Sequence, residues 1–251
     1  EPQIVNILTN VIQKNFNYMI PKIIHQSWIS SVHPEIPEVF REYMDSIPAN
    51  FPEWKYILWN NETSREVVNE VAPQLMDLYD SSSDIMKSDI SRFSFLYKHG
   101  GLYLDLDIKI NENIEDLFID DCCYLVEFDF CNFFKDKGWD TLLSNCLMAC
   151  DKHNEFMRLL ATSIEKKHLD VLSRFGDREP DNPDFEVLMK TGPGYITKMY
   201  NIYNKKHKIK ALYILGRPGE DKLTTHALGD HSSKKAIHGH LGSWTNKNKI
   251  K

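Results

Sequence analysis

Two aspartates, Asp105 and Asp107, stand two residues apart in the segment KHGGLYLDLDIKI, residues 98–110. Carboxylates at that spacing can hold a hard divalent cation: Mg²⁺ or Mn²⁺ takes carboxylate oxygens, keeps open positions and shares them with phosphate oxygens. Leu102, Leu104, Leu106, Ile108 and Ile110 alternate with Tyr103, Asp105, Asp107 and Lys109. A period of two predicts one strand with its leucines on one face and both carboxylates on the other. Like charges near a core must be paired or bind a cation. The segment is therefore either a solvated acidic face or half of a metal site, and the motif alone leaves both open. Upstream, Asp89 and Arg92 lie three apart on a predicted helix and share a face; by spacing alone they form a surface ion pair of small worth.

Elements that could position these residues alternate along the chain. KIIHQSW reads as a first strand ending near Trp28, EIPEVFREYMDSI as a helix, and WKYILWN as a second strand ending at Asn60. ETSREVVNEV and PQLMDLYD read as short helices parted at Pro73, since proline breaks a helix. In SSSDIMKSDISRFSFLYKHGG, apolar residues recur at three- and four-residue steps, Ser83 or Asp84 can cap the start, and Gly100 can end the helix in a left-handed turn. CYLVEFDF and NCLMAC read as strands, NEFMRLLATSIEKKHL and GPGYITKMYNIYNKK as helices, and KALYILG as a late strand. Residues 1–18 read as a helical lead-in, and residues 217–251 as irregular. The alternation predicts an α/β fold, a mostly parallel sheet flanked by helices. Ligands of such sheets bind beyond the carboxyl ends of the strands, where Trp28, Asn60 and the two aspartates fall.

The 251 residues suit one large domain, and 42 % hydrophobic with 26 % charged residues is an ordinary globular balance. A formal net charge of −6 argues against a nucleic-acid-binding surface. Cys122, Cys123, Cys131, Cys146 and Cys150 are odd in number and form no C-x-x-C pair, which argues against a zinc ribbon or a disulfide framework and for reduced core thiols. No apolar run reaches transmembrane length and no signal peptide is visible. A cytoplasmic location is the expectation. The chain begins at Glu1 rather than methionine, so a trimmed N-terminal membrane anchor and a Golgi-type location stay open.

IPKIIHQSW, YILWN, KSDISRFSFLYKHGGLYLDLDI, NCLMACDKHNEFMRLL, TGPGYIT and AIHGHLGSW occur in this order between residues 20 and 244. Together they resemble glycosyltransferase family 32, and the block from Asp89 to Asp107 also resembles that of the large glucosylating toxins. The resemblance implies a GT-A, Rossmann-like domain over residues 20–251 after the lead-in at 1–19, with 217–251 as a closing tail. It implies a retaining sugar transferase that uses Mn²⁺ (or Mg²⁺) and a UDP- or GDP-sugar, with a glycan, glycolipid or protein acceptor. By resemblance, Asp107 is a direct metal ligand, and Asp105 lies nearer the ribose, reaching the metal directly or through water. Asp89 and Arg92 contact the donor sugar and phosphate, Tyr103 lies at the donor pocket, and Asn145 lies near the reacting centre. His25, Gln26 and Trp28 meet base and ribose, and His238, Ser243 and Trp244 close over metal and diphosphate. The family often has an aromatic residue where His240 stands, and His238 is the favoured ligand of the two.

Two other classes compete. A haloacid-dehalogenase-type phosphohydrolase also uses D-x-D at a strand end, but that motif normally opens the domain and continues into a small residue; here Ile108 follows and nearly a hundred residues precede. A catalytically dead sugar-nucleotide-binding module would show no donor turnover.

Overall fold

The computed structural model describes residues 20–118, 123–128, 142–164, 183–207, 212–215, 235–239 and 241. The expected lead-in helix lies outside these residues. Among the described residues the strands are β1 (Ile23–Ser27), β2 (Lys55–Trp59), β3 (Gly101–Leu104), β4 (Ile108–Ile110), β5 (Cys123–Phe128), β6 (Leu142–Cys150), β7 (Leu212–Leu215) and β8 (Ala236–His238). The helices are α1 (Arg41–Asn50), α2 (Asn61–Val71), α3 (Met76–Ser81), α4 (Asp84–His99), α5 (Glu155–Thr162), α6 (Pro183–Lys190) and α7 (Pro193–His207).

Six strands form one sheet in the order β2-β1-β3-β6-β5-β7, while β4 and β8 pair apart from it. β1 runs parallel to β2 and β3, and β5 parallel to β7, whereas β6 is antiparallel to β3 and β5. This is the expected mostly parallel sheet flanked by helices. Strand alternation divides the core between its two faces. Tyr103, Leu125 and Met148 pack with Val68, Phe93, Leu96 and Tyr195 on one side. Leu102, Leu104, Tyr124 and Leu147 pack with Ile47, Phe51, Ile108 and Ile110 on the other. Each fully buried Phe or Leu contributes about 1.5–3 kcal/mol, so both layers weigh heavily in holding the sheet's register.

Helix α4 is the element that carries the chemistry. Met86 and every residue from Asp89 to Leu96 are buried, polar ones included. Its end is set by glycine: Gly100 and Gly101 have φ of +65° and +101°, values that suit a residue without a Cβ. A Cβ on Gly101 would sit 2.3 Å from the carbonyl oxygen of Ile23. The pair lets helix and strand meet without a spacer and brings β3 directly against β1.

Three expectations change. The segment 102–110 is not one strand: β3 ends at Leu104, the chain turns at Asp105–Asp107, and β4 joins a different sheet. Alternation persists because β3 and β4 each have a core side, but the carboxylates occupy a corner rather than a strand face. The tail is not wholly irregular, since Ala236–His238 pairs antiparallel with β4, His238 opposite Ile108. Helix α6 was not foreseen. Elsewhere boundaries moved slightly: the helix expected at EIPEVFREYMDSI begins as a 3-10 turn at Glu38–Phe40 and runs to Asn50. Among the described residues no helix is long and apolar enough to cross a membrane.

Gly101→Ala is expected to lose about 2–4 kcal/mol of stability, because the new methyl must displace the β1 backbone and sits at an unfavourable φ. Urea denaturation of both proteins measures it, and a change under 0.5 kcal/mol would show that the close approach is not a constraint.

Candidate active site

The carboxyl ends of β1 and β3 open into a cleft of about 1140 Å³. Trp28, Asp89, Arg92, Tyr103, Asp105, Asp107, Asn145 and His238 all line it, so eight of the predicted site residues converge.

Arg92 is central and only 3 % exposed. Its Nη1 donates to the Asn145 carbonyl at 2.8 Å and lies 3.1 Å from Asp105 Oδ1, while Nη2 lies 3.2 Å from Asp89 Oδ1. The guanidinium also sits 4.7 Å above the Tyr103 ring, a cation–π distance. Asp89 and Arg92 are therefore not a surface pair but a buried one, in which Arg92 serves as an internal counterion for two carboxylates.

The corner itself is pinned from several sides. The Asp105 N–H donates to Cys146 O at 2.8 Å, its carbonyl accepts from Gln26 Nε2 at 3.1 Å, and Tyr103 OH donates to Oδ1 at 3.0 Å. Asp107 is held by the tail: Leu241 N–H donates to Oδ2 at 3.0 Å, Gly239 N–H to the backbone carbonyl at 2.7 Å, and His238 Nε2 lies 3.3 Å from Oδ1. Gly239 fits because Tyr43 covers it; a Cβ there would stand 2.5 Å from the Tyr43 hydroxyl.

Electrostatics separate the two acids. Burial pushes Asp105 up to about 6; Arg92 pulls it back, and the Asp107 charge pushes it further up. Burial would raise Asp107 too, but His238 and the Leu241 N–H hold it below the usual carboxylate range. One ligand atom each from Asp105, Asp107 and His238 lie within 4.8 Å of one another. Two carboxylates and an imidazole, one acid raised by burial, are a donor set that fits Mn²⁺ or Mg²⁺.

Trp28 forms part of the outer wall, its ring 5.7 Å from Phe40 and its Nε1 donating to His33 O at 2.8 Å. His25 does not reach the cleft. It is fully buried, accepts from Trp59 Nε1 at Nδ1 and shares a hydrogen bond between Nε2 and Gly100 O, and burial lowers it to about 4. Gln26 is also fully buried, its amide spanning Tyr56 OH and Asp105 O. A strand end was legible from sequence; the inward direction of these two side chains was not. Ser243, Trp244 and His240 lie outside the described residues.

Three residues at the site were not anticipated. Ser27 and Ser88 hydroxyls lie 3.3 Å apart, and Ser27 is 3.3 Å from Tyr103 OH. Thr191 donates to Asp89 Oδ2 at 2.7 Å. Small hydroxyls carry no spacing signal, so only the TGPG block hinted at Thr191.

The profile of the family described as "Glycosyltransferase sugar-binding region containing DXD motif" matches residues 37–124. Inositol phosphoceramide mannosyltransferase 3 of Schizosaccharomyces pombe is 36 % identical over 113 residues, covering 45 % of this chain and 31 % of the relative. Mannosyl phosphorylinositol ceramide synthase CSH1 of Saccharomyces cerevisiae is 31 % identical over 240 residues, covering 89 % of this chain and 57 % of the relative. The chain thus spans about a third to just over half the length of these two relatives. Among solved structures, the UDP-bound glycosyltransferase domain of the YGT toxin aligns with a TM-score of 0.57 at 10 % identity, over 88 % of this chain and 84 % of that one. The fold is therefore of the GT-A glycosyltransferase type, and the DXD region is similar to that of known glycosyltransferases.

Asp105→Asn should leave the melting temperature of the metal-free protein unchanged or higher at pH 7, since folding no longer buries a reluctant charge. The same variant should lose the rise in melting temperature that Mn²⁺ gives the wild type. Calorimetry with and without Mn²⁺ reads both, and an undiminished Mn²⁺ shift would remove Asp105 from the metal site.

Proposed function

We propose that the chain is a metal-dependent retaining glycosyltransferase that moves a hexose, in our reading mannose, from a nucleoside-diphosphate sugar to a hydroxyl of a glycolipid-type acceptor. The observation that carries it is the Asp105–Asp107–His238 corner opening into a cleft on a GT-A fold, with Arg92 behind it. The mannose and lipid terms rest on the relatives, one named an inositol phosphoceramide mannosyltransferase and the other a mannosyl phosphorylinositol ceramide synthase.

Asp105, Asp107 and His238 would hold Mn²⁺ or Mg²⁺, which when bound supplies positive charge to the leaving diphosphate. Trp28 offers an aromatic face for the nucleoside base, fixed by its bond to His33 and its contact with Phe40. Tyr103 and Arg92 keep Asp105 at the cleft floor. Asn145, beside Asp89 in the cleft lining, would face the sugar, and such pre-oriented polar groups lower the barrier by positioning the reacting atoms. Asp89 has both oxygens engaged by Arg92, Asn145 and Thr191, which suits it to hold geometry rather than to attack as a nucleophile. That supports front-face transfer, the departing phosphate taking the acceptor's proton.

GDP-mannose and a panel of UDP-sugars, each incubated with the protein and Mn²⁺, should reveal slow hydrolysis of one donor, abolished by EDTA. Asp107→Asn should cut that rate about 100-fold or more while the protein stays folded. Turnover of none of the donors, or full activity in the variant, would contradict the reading.

A further inference from the structure

Asp89 is gripped from three parts of the chain. Arg92 comes from its own helix, Asn145 from β6, and Thr191 from the joint between α6 and α7. Thr191 is fully buried, and its own N–H is tied to Val187 O at 3.2 Å, so the hydroxyl is delivered to Asp89 Oδ2 from a fixed backbone. Gly192 and Pro193, the next two residues, line the cleft.

The consequence falls on Asn145. Its Nδ2 donates to Asp89 Oδ1 at 2.7 Å. An ionised carboxylate only accepts, so the NH₂ group must face Asp89 and the carbonyl oxygen must face away from it. Asn145 lines the cleft and is 7 % exposed. The atom turned away from Asp89 is therefore the acceptor Oδ1, which suits a hydroxyl. If the Thr191 hydroxyl were absent, Asp89 could rotate and the amide could turn over.

We infer that Thr191 is a positioning residue for the reaction: through Asp89 it holds the side-chain Oδ1 of Asn145 toward the cleft, where that oxygen accepts a hydroxyl of the transferred sugar. This rests on the glycosyl-transfer reading above. It adds a selection rule, since the contact distinguishes a sugar nucleotide from the bare nucleoside diphosphate.

The test is titration calorimetry in Mn²⁺ with two pairs of probes, GDP-mannose with GDP and UDP-glucose with UDP. Thr191→Val keeps the shape and loses the hydroxyl; Thr191→Ser keeps the hydroxyl. For the pair that the wild type binds, Thr191→Val should bind the nucleoside diphosphate within about twofold of wild type and the sugar nucleotide about tenfold more weakly, the scale of one hydrogen bond. Thr191→Ser should restore the sugar nucleotide. Equal affinities of Thr191→Val and wild type for the sugar nucleotide, an equal loss for both probes, or failure of Thr191→Ser to rescue would overturn the inference. Should Thr191→Val not fold, Thr191→Ala, which also loses the hydroxyl, answers the same question: a loss confined to the sugar nucleotide supports the inference and a uniform loss overturns it. A wild type that binds none of the four probes would instead sink the glycosyl-transfer reading, and this inference with it.

Discussion

Burying Asp89 and Asp105 beside one another requires a positive charge between them, and Arg92 supplies it from one turn along the same helix as Asp89. Taking a charge out of water costs several kcal/mol even after relaxation, and removing Arg92, which would leave both carboxylates uncompensated, would cost about 3–5 kcal/mol or more. The arrangement holds only because the guanidinium is also bonded to the Asn145 carbonyl and seated on Tyr103. Helix α4, β3 and β6 are thereby tied to one point. The register of β3 against β6 and the placement of the Asp105 corner both follow from it.

The second constraint is the tail. β8 closes on β4, and three of the last described residues contact Asp107: the His238 ring, the Gly239 N–H and the Leu241 N–H. Asp105 is thus organised by the sheet and Asp107 by a segment more than a hundred residues later. Their proton affinities are kept unequal, Asp105 raised by burial and Asp107 lowered by His238.

The sequence made much of this legible because much of it is local. The helical period of α4, the glycine pair after it, the following strand and the D-x-D spacing sit within about 25 residues, and each signal agreed with the next. What stayed hidden was non-local or directional. Alternation through 102–110 concealed the turn at Asp105–Asp107, because β4 continues the same period against a core of its own. A three-residue strand such as β8 carries no pattern, and its pairing with β4 is decided by tertiary contact. His25 and Gln26 were correctly placed on a strand near the site, but the Trp59, Phe95 and His99 rings draw His25 inward. Thr191 reaches Asp89 from 102 residues away, a contact that no local pattern encodes.

The central claim is that Asp105, Asp107 and His238 form one metal site in the cleft. Pulsed electron paramagnetic resonance on the Mn²⁺-loaded protein reads it directly, because a coordinated imidazole nitrogen modulates the electron-spin echo. The account predicts a nitrogen modulation in the wild type that survives His240→Ala and disappears in His238→Ala. Modulation that persists in His238→Ala, or is absent from the wild type, would contradict it.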